Sequence, residues 1–377
     1  MKKLGIYIHI PFCVKKCNYC AFLSFPFDEQ LKNNYIESLK REIGLYHNDE
    51  YLVDTVFFGG GTPSLLEPKE IGDILFSLRE SFTLAADGEI TIEANPATLD
   101  YGKLKGFREA GINRLSMGVQ SLNDDVLKYM GRVHTKEDVY REYELARRAG
   151  FNNVNIDLMF SVPNDNIVNV KRTLAKVIKL KPEHISYYGL QLEEGTPFFE
   201  KFKEGLLWEN DDYMDRRMYH EGSRMLINKG YNRYEISNFS KPGYECKHNL
   251  KYWNMDEYLG FGLDASSLYK GYRFKNTKDI NKYFKSTDDG MRPIEEEILN
   301  TEKDNISEAM FTGLRRKEGI SMVDIFGSEE GFWEYYKDVQ DAIIDYEING
   351  FLNISDGRIW LTEGGIDISN KIMANFV

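Results

Sequence analysis

The chain has 377 residues, 29% of them charged, and its formal net charge is −12. That length can fold into one large domain plus a smaller one, and the acidic balance argues against nucleic-acid binding driven by bulk electrostatics. We find no secretory signal peptide and no apolar run as long as a membrane span. With 4 cysteines and no obvious pairs among them, the sequence predicts a cytoplasmic protein.

A strand-like run at residues 4–10 leads into three cysteines, Cys13, Cys17 and Cys20, with the spacing C-x₃-C-x₂-C. Three thiolates so close together can hold three corners of a cubic [4Fe–4S] cluster and leave its fourth iron open to another ligand. A structural zinc site would need a closed set of four ligands. The alternative is three ordinary buried cysteines, although free cysteines rarely cluster in this way.

Strand-like and helix-like segments then alternate as far as about residue 240. Strands are predicted at 4–10, 55–58, 89–93, 113–119, 153–160 and 184–191, with 231–236 as a candidate last strand. Helices are predicted at 29–46, 68–82, 99–110, 136–149, 168–179 and 211–228. This repeat indicates an α/β fold with a parallel sheet and right-handed crossovers. We expect a partial, open TIM-type βα barrel rather than a doubly wound sheet.

Residues suited to chemistry lie where the predicted strands end. The cysteines follow the first strand and the run Gly59-Gly60-Gly61-Thr62-Pro63 follows the second. Glu93 closes the third strand, Gln120 follows the fourth, and Asp157 lies inside the fifth. Barrels of this type build their active sites at the carboxyl ends of the strands, so we expect these residues to converge. Taken singly, each could instead be a turn glycine, a helix cap or a satisfied buried amide.

The pattern changes after about residue 240. Segment 238–275 is rich in Tyr, Trp, Gly and Asn, and we expect it to be irregular. Residues 300–377 predict a small, mainly helical unit with helices at 305–315 and 332–349. A hairpin around Asp356-Gly357 should follow, with strands at 351–355 and 358–361. Such a winged-helix-like unit usually suggests DNA binding, which the acidity disfavours. The predicted organisation is a barrel at 1–240, an irregular connection at 241–299 and the helical unit at 300–377.

Several motifs in this order resemble the radical S-adenosylmethionine (SAM) superfamily. Within it, the chain is similar to the branch that contains oxygen-independent coproporphyrinogen III dehydrogenase, HemN, and the HemW heme chaperones. The resemblance covers nearly the whole chain, including the C-terminal unit. The motifs are YIHIPFC at 7–13, GGGTPS at 59–64, TIEANP at 91–96, RLSMGVQ at 114–120, GRVHT at 131–135, NIDLMFSVP at 155–163 and HNLKYW at 248–253.

The resemblance implies a SAM molecule on the open iron, cleaved by one electron to a 5′-deoxyadenosyl radical, with the protein supplying binding and orientation. The electron would come from a low-potential donor such as a flavodoxin or ferredoxin. By position in the motifs, the implied SAM contacts are Tyr7, Tyr19, Gly60, Gly61, Thr62, Glu93, Gln120, Arg132 and Asp157. Among them, the guanidinium of Arg132 suits a carboxylate.

Position 22 separates the two branches. The dehydrogenases carry a fourth cysteine there, and this chain has Phe22. Together with the motif His248-Asn249-x-x-Tyr252-Trp253, this favours a heme chaperone that passes heme to haemoproteins. Cys246 and His248 are candidate heme contacts, the alternative being a structural histidine and a small core cysteine. The other functions considered are an anaerobic radical enzyme acting on coproporphyrinogen III or another tetrapyrrole, and a non-catalytic interaction protein.

Two further positions depart from the chaperone pattern. The Gly/Ala-rich stretch that usually contains a histidine reads Gly260-Phe-Gly-Leu-Asp-Ala-Ser-Ser267 here. Ala21 stands where an acidic residue commonly follows the third cysteine. These differences concern the identity of the cargo.

Overall fold

The computed structural model describes residues 1–377, without the side chains of residues 48 and 49. The strands are β1 (Lys2–Ile10), β2 (Phe12–Cys13), β3 (Phe25–Pro26), β4 (Asn48–Gly60), β5 (Phe82–Ala94), β6 (Arg114–Gln120), β7 (Val154–Phe160), β8 (His184–Gly189), β9 (Asn232–Glu235), β10 (Asn238–Ser240), β11 (Tyr258–Phe261), β12 (Ser266–Tyr269), β13 (Tyr272–Asn276), β14 (Ile294–Leu299), β15 (Ile320–Ser321), β16 (Leu352–Ser355) and β17 (Arg358–Leu361).

The α-helices cover the sheet and build the C-terminal unit. They are α1 (Glu29–Gly44), α2 (Pro68–Ser81), α3 (Tyr101–Ala110), α4 (Asp124–Tyr129), α5 (Lys136–Arg148), α6 (Ile167–Leu180), α7 (Pro197–Lys203), α8 (Asp212–Ile227), α9 (Lys247–Trp253), α10 (Ile280–Asp288), α11 (Glu302–Gly313), α12 (Met322–Phe326), α13 (Glu329–Tyr335), α14 (Gln340–Ile348), α15 (Glu363–Asp367) and α16 (Ser369–Met373). Short 3₁₀ turns lie at Pro63–Leu65 and Ala374–Phe376. Among the residues described, no helix is both long and apolar enough to cross a membrane.

The main sheet confirms the predicted open barrel. Strands β1, β4, β5, β6, β7 and β8 are neighbours in chain order, and every pair is parallel. The barrel does not close, because β1 pairs with β11 on its free side while β8 pairs with β10. All seven residues of the central strand β6 are buried, as expected for a strand covered on both faces.

The outer layer of the barrel is built from amphipathic helices. The buried side chains of α1 recur at helical spacing and include Tyr35, Leu39 and Ile43. Asp28 begins this helix by accepting the Leu31 N–H, which satisfies one of the free amides of the first turn. At the other end of a helix, Gly111 takes the left-handed conformation (φ 117°) that terminates α3. The helix ends therefore lie close to where the sequence predicts them.

The expectation of irregular structure at 238–275, and more widely at 241–299, is wrong. This region contains α9, α10 and strands β11 to β14, and it extends the main sheet to 12 strands. Strand β11 pairs with β1 in parallel, with Tyr7 opposite Gly260, and the next three strands continue antiparallel. The strand predicted at 231–236 is β9, which pairs antiparallel with β10. These strands are short, and pairing with a distant segment stabilises the first of them, so local pattern did not reveal them.

The C-terminal unit contains the predicted hairpin. Strands β16 and β17 pair with Ser355 opposite Arg358, and both Asp356 and Gly357 have positive φ (52° and 70°) in the turn. The single helix expected at 332–349 is instead two helices, α13 and α14. Helix α13 ends at Tyr335, and Val339 just before α14 is outside helical geometry, with a φ of −120°. An ion pair between Glu363 and Arg233 of β9 ties the unit to the barrel, at 2.5 Å.

Candidate functional site at the mouth of the open barrel

The predicted strand-end residues gather at one end of the barrel. Gly60 is the last residue of β4, Glu93 is next to last in β5, and Gln120 ends β6 with a positive φ of 65°. Asp157 lies in the middle of β7, one step deeper in the barrel. These strands are parallel neighbours, so their carboxyl ends meet at the same edge and bring the four residues into one region.

The cysteine loop lies over this mouth. Cys13, Cys17 and Cys20 are partly exposed, and none forms a disulfide. Backbone hydrogen bonds hold the loop at both ends, from Phe25 N–H to Pro11 O at 2.7 Å and from Phe27 N–H to Cys13 O at 3.0 Å. These bonds tie together the two ends of the segment that carries the thiols.

Each of the three thiols has a hydrogen-bond donor from a different part of the chain. Thr62 Oγ1 donates to Cys13 Sγ and an Arg132 N–H donates to Cys17 Sγ, both at 3.5 Å. The Phe22 backbone N–H donates to the Cys20 sulfur, which partly offsets the rise in the pKa of that thiol caused by burial. Donors of this kind favour thiolates, the form that binds iron.

The residues of the loop fit a cluster better than a single ion. Among the described residues, no three His, Cys, Asp or Glu side chains converge as the ligands of one metal ion would. A cubic iron–sulfur cluster presents a separate iron to each thiolate, so its cysteines need not meet at a point. Three separately supported thiols match that requirement.

Arg132 links the cysteine loop to the barrel. Its guanidinium donates to Asn95 Oδ1 at 2.6 Å and also to Gly118 O and Cys17 Sγ. The Nε atom is buried and has no partner among the described residues, so one donor remains for a bound group. A Cβ at Gly118 would lie 2.9 Å from Asn95 Oδ1, which explains the glycine beside this contact.

The glycines at the end of β4 pack tightly against the segment that leads into the cysteine loop. Gly60 has φ 109°, and a Cβ there would lie 2.5 Å from the His9 ring. A Cβ at Gly61 would lie 2.7 Å from Phe12 O. Thr62 accepts a hydrogen bond from Asn95 Nδ2 at 2.8 Å. Close packing against the chain itself therefore already requires these glycines.

A polar cavity of about 260 Å³ lies inside the barrel below the mouth. Two carboxyl groups, Glu93 and Asp157, face it together with the buried guanidinium of Arg114. Burial raises the pKa of Glu93 to about 8, with the negative charge of Asp157 adding to the rise. Burial also raises the pKa of Asp157. The Glu93 carboxyl accepts from Gly60 N–H at 3.3 Å, and Asp157 accepts from Asn155 Nδ2 at 2.7 Å.

The predicted aromatic contacts and Gln120 lie around the same opening. Tyr7 borders the polar cavity and is hydrogen-bonded to His9 Nδ1 at 3.0 Å. Tyr19 lies beside Cys17 and Arg132, and its burial raises the pKa of its hydroxyl. The Gln120 amide oxygen accepts from the Tyr188 hydroxyl at 3.0 Å. The mouth is thus lined by aromatic rings with a few convergent polar groups, the usual composition of a small-molecule site.

Family models and curated relatives match this architecture. The model of the radical SAM superfamily matches residues 7–177, and that of the HemN C-terminal domain matches residues 300–368. The chain is 37% identical to the heme chaperone HemW of Lactococcus lactis, over 100% of this chain and 98% of that protein. It is 33% identical to HemW of Bacillus subtilis, over 98% of each. The chain belongs to the HemW-like family of radical SAM proteins.

A solved structure supports the same fold over the full length. Escherichia coli coproporphyrinogen III oxidase (HemN), described as a radical SAM enzyme, superposes with a TM-score of 0.87 at 25% identity. The match covers 100% of this chain and 90% of that one. The HemW-like family and the coproporphyrinogen oxidase therefore share the open barrel and the C-terminal unit.

The two candidate heme contacts of this HemW-like chain lie deep in the protein. His248 is hydrogen-bonded through both ring nitrogens, to Thr55 Oγ1 at 2.9 Å and to the Tyr252 hydroxyl at 2.8 Å. Its burial lowers the pKa of the ring to about 3. Cys246 is fully buried, and burial raises the pKa of its thiol to about 12. Iron ligation by His248 would first require one of its two hydrogen bonds to break. Iron ligation by Cys246 would first require its buried thiol to become accessible.

Sequence reasoning did not single out the buried charges beneath the mouth. Glu89 accepts backbone N–H bonds from Lys247 and His248 at 3.2 Å, which fixes the start of α9. Burial lowers the pKa of the fully buried Arg114 guanidinium, but nearby negative groups, Glu89 and Asp157 among them, outweigh it and raise that pKa overall. Arg114 opens the motif RLSMGVQ and Glu89 precedes TIEANP, so position beside the motifs was the available signal.

Proposed function

We propose that this chain is a heme chaperone that carries a [4Fe–4S] cluster and SAM, binds heme, and passes it to haemoproteins in the cytoplasm. The observation that carries the proposal is Phe22, which replaces the fourth cysteine of the dehydrogenase pattern. It lies at the mouth with 67% of its surface exposed. A phenyl ring supplies no thiol, but it does supply an apolar face for a flat ligand. The full-length relatives that carry the name heme chaperone support the same choice.

Cys13, Cys17 and Cys20 would hold the cluster, with Thr62 and Arg132 favouring the thiolates. When bound, the cluster and SAM supply one-electron chemistry that no side chain of this protein can supply. The buried Nε of Arg132 offers a donor to the carboxylate of SAM. The residues proposed to surround SAM are Tyr7, Tyr19, Gly60, Gly61, Thr62, Glu93, Gln120, Arg132 and Asp157.

Space for the heme lies beside the cysteine loop. A cavity of about 1040 Å³ extends from Cys20 and Phe22 to the C-terminal unit. Tyr188 and Leu190 contribute to its barrel side, and Ile366 and Ile368 contribute to the opposite side. A tetrapyrrole bound there would contact both parts of the chain. Iron ligation by His248 or Cys246 stays a prediction, tested by the heme spectrum of His248→Ala.

The test is anaerobic reconstitution with iron and sulfide, followed by titration with heme. We expect saturable binding of one heme per chain, and a cluster signal that changes when SAM is added. The matched control is Cys17→Ser, which should lose the cluster. Absence of stoichiometric heme binding by the reconstituted protein would contradict the chaperone proposal.

A second candidate function is oxidation of coproporphyrinogen III or another tetrapyrrole by a radical mechanism. The full-length superposition on the coproporphyrinogen oxidase favours it. Incubation with coproporphyrinogen III, SAM and a low-potential reductant decides between the two. Formation of protoporphyrinogen would replace the chaperone proposal. We expect no protoporphyrinogen, because Phe22 has no thiol to take the role of the fourth cysteine.

A further inference from the structure

Phe22 lies where three cavities meet. Its side chain borders the 1040 Å³ cavity, the polar cavity of about 260 Å³ inside the barrel, and a third cavity of about 490 Å³ beside Trp253 and Tyr258. Among the residues whose side chains the structure describes, no other borders all three. A ligand in the large cavity would therefore have within reach a residue that also borders the polar groups below.

The backbone of Phe22 is fixed although its ring is free. Its N–H donates to the Cys20 sulfur, and the carbonyl of the next residue, Leu23, is hydrogen-bonded to His9 Nε2 at 3.2 Å. The residue as a whole remains 67% exposed. An anchored aromatic ring with a free face is already positioned for stacking and loses little conformational freedom when a flat ligand covers it.

We propose that Phe22 is a binding residue that stacks on the face of a tetrapyrrole macrocycle and holds it beside the cluster loop. This inference rests on the proposed function and adds to it the side chain that recognises the ring. Stacking uses the conjugated macrocycle and not its metal, so the contribution of Phe22 should be the same for heme and for metal-free protoporphyrin IX. A residue that ligates iron would affect heme alone.

The experiment compares the binding of heme and of metal-free protoporphyrin IX by the reconstituted protein and its variants. Phe22→Ala should weaken both ligands by about tenfold, whereas Phe22→Tyr should stay within about threefold of the wild type. The control is Phe76→Ala, which removes the ring of a residue on α2 that is 61% exposed and borders none of these three cavities. It should bind both ligands like the wild type.

Cluster and SAM signals are recorded on the same samples. Every replacement keeps the backbone N–H that donates to Cys20, so the cluster absorption and its response to SAM should not change. If Phe22→Ala alters the cluster signal, Phe22→Leu is used as the test variant instead. Leucine keeps a bulky apolar side chain without an aromatic face, so we expect the same loss of affinity for both ligands.

The outcomes separate this inference from the proposed function. Equal affinities of the wild type and the variant without the ring would overturn the role of Phe22 and leave the chaperone proposal standing. A loss confined to heme would also overturn stacking, because iron would then be the group concerned. A wild-type protein that binds neither ligand would remove the chaperone proposal together with this inference.

Discussion

The buried carboxyl of Glu42 should make the protein less stable as the pH rises towards neutrality. Glu42 lies on α1 and has no exposed surface. It accepts hydrogen bonds from the Tyr283 hydroxyl at 2.6 Å, Asn276 Nδ2 at 2.6 Å and Gly262 N–H at 2.8 Å. Burial raises its pKa to about 7 in spite of these donors. The residue therefore joins α1, β13 and α10 to the loop after β11.

The size of the effect follows from the difference in pKa between the folded and unfolded states. The unfolded chain releases this proton near the ordinary value of 4.5, and the folded protein near 7. Between those values the folded state binds more protons, so the free energy of unfolding falls as the pH rises. At about 1.4 kcal/mol per pKa unit, the loss between pH 4.5 and 7 is about 3 kcal/mol.

Glu42→Gln removes the titration and keeps the length of the side chain. We expect this variant to lose about 1 kcal/mol of unfolding free energy at pH 5, because the NH₂ group of the glutamine must face one of the three hydrogen-bond donors. The difference in unfolding free energy between variant and wild type should then shift by about 3 kcal/mol in favour of the variant by pH 7.5. Urea unfolding followed by tryptophan fluorescence at several pH values measures this difference.

Glu37→Gln on the same helix is the matched control, because Glu37 is exposed and its ion pair with Lys40 is a surface pair at 2.8 Å. It should show no comparable pH-dependent difference. Parallel pH profiles for Glu42→Gln and the wild type would refute the reasoning, since the raised pKa of the carboxyl would then have no effect on stability.

Three more substitutions test the site and its support. Arg132→Lys should weaken SAM binding at least tenfold, measured by the response of the cluster EPR signal, because lysine cannot replace the several directed donors of the guanidinium. Gly60→Ala should lower the free energy of unfolding by about 2 kcal/mol or more, since its Cβ would overlap the His9 ring at a positive φ. Glu363→Gln should cost about 1 kcal/mol in the same assay, because the buried guanidinium of Arg233 loses its counter-charge while solvent screens the exposed side of the pair.

Each of these substitutions has a control of the same type. Arg172→Lys changes an exposed arginine on α6 and should leave SAM binding unchanged. Gly150→Ala has a similar φ of 90° with no atom within 4 Å, so it should cost less than Gly60→Ala. Glu334→Gln breaks an exposed ion pair with Lys337 and should have little effect. If a test variant and its control had equal effects, the structural explanation given for the test variant would be wrong.

The sequence allowed prediction of the parallel half of the fold because its signals are local. Each strand is followed by a helix with its own apolar face and cap, as in α1 with Asp28. Residues at strand ends could therefore be grouped before any distance was known, and Gln120 and Glu93 do lie at neighbouring ends. The open edge was also expected, although not the strand that lies against it.

Other features depend on contacts between distant residues. Strand β11 is only four residues long, and pairing with β1 gives it a defined place in the sheet. The contact between Glu89 and the start of α9 spans about 160 positions, and nothing in either segment alone indicates the other. Contacts of this kind depend on tertiary packing, and the local sequence pattern does not predict them.

The loop that departs from the chaperone pattern forms its polar contacts within the protein. Asp264 has a left-handed backbone (φ 59°) and pairs with Lys275 at 2.6 Å, and the Ser267 hydroxyl accepts from Gly260 N–H at 2.9 Å. These side chains are thus engaged in contacts within the protein. In the proposed chaperone this loop offers no imidazole, so ring stacking would carry more of the affinity for the macrocycle. The anchored, exposed face of Phe22 is placed to provide it.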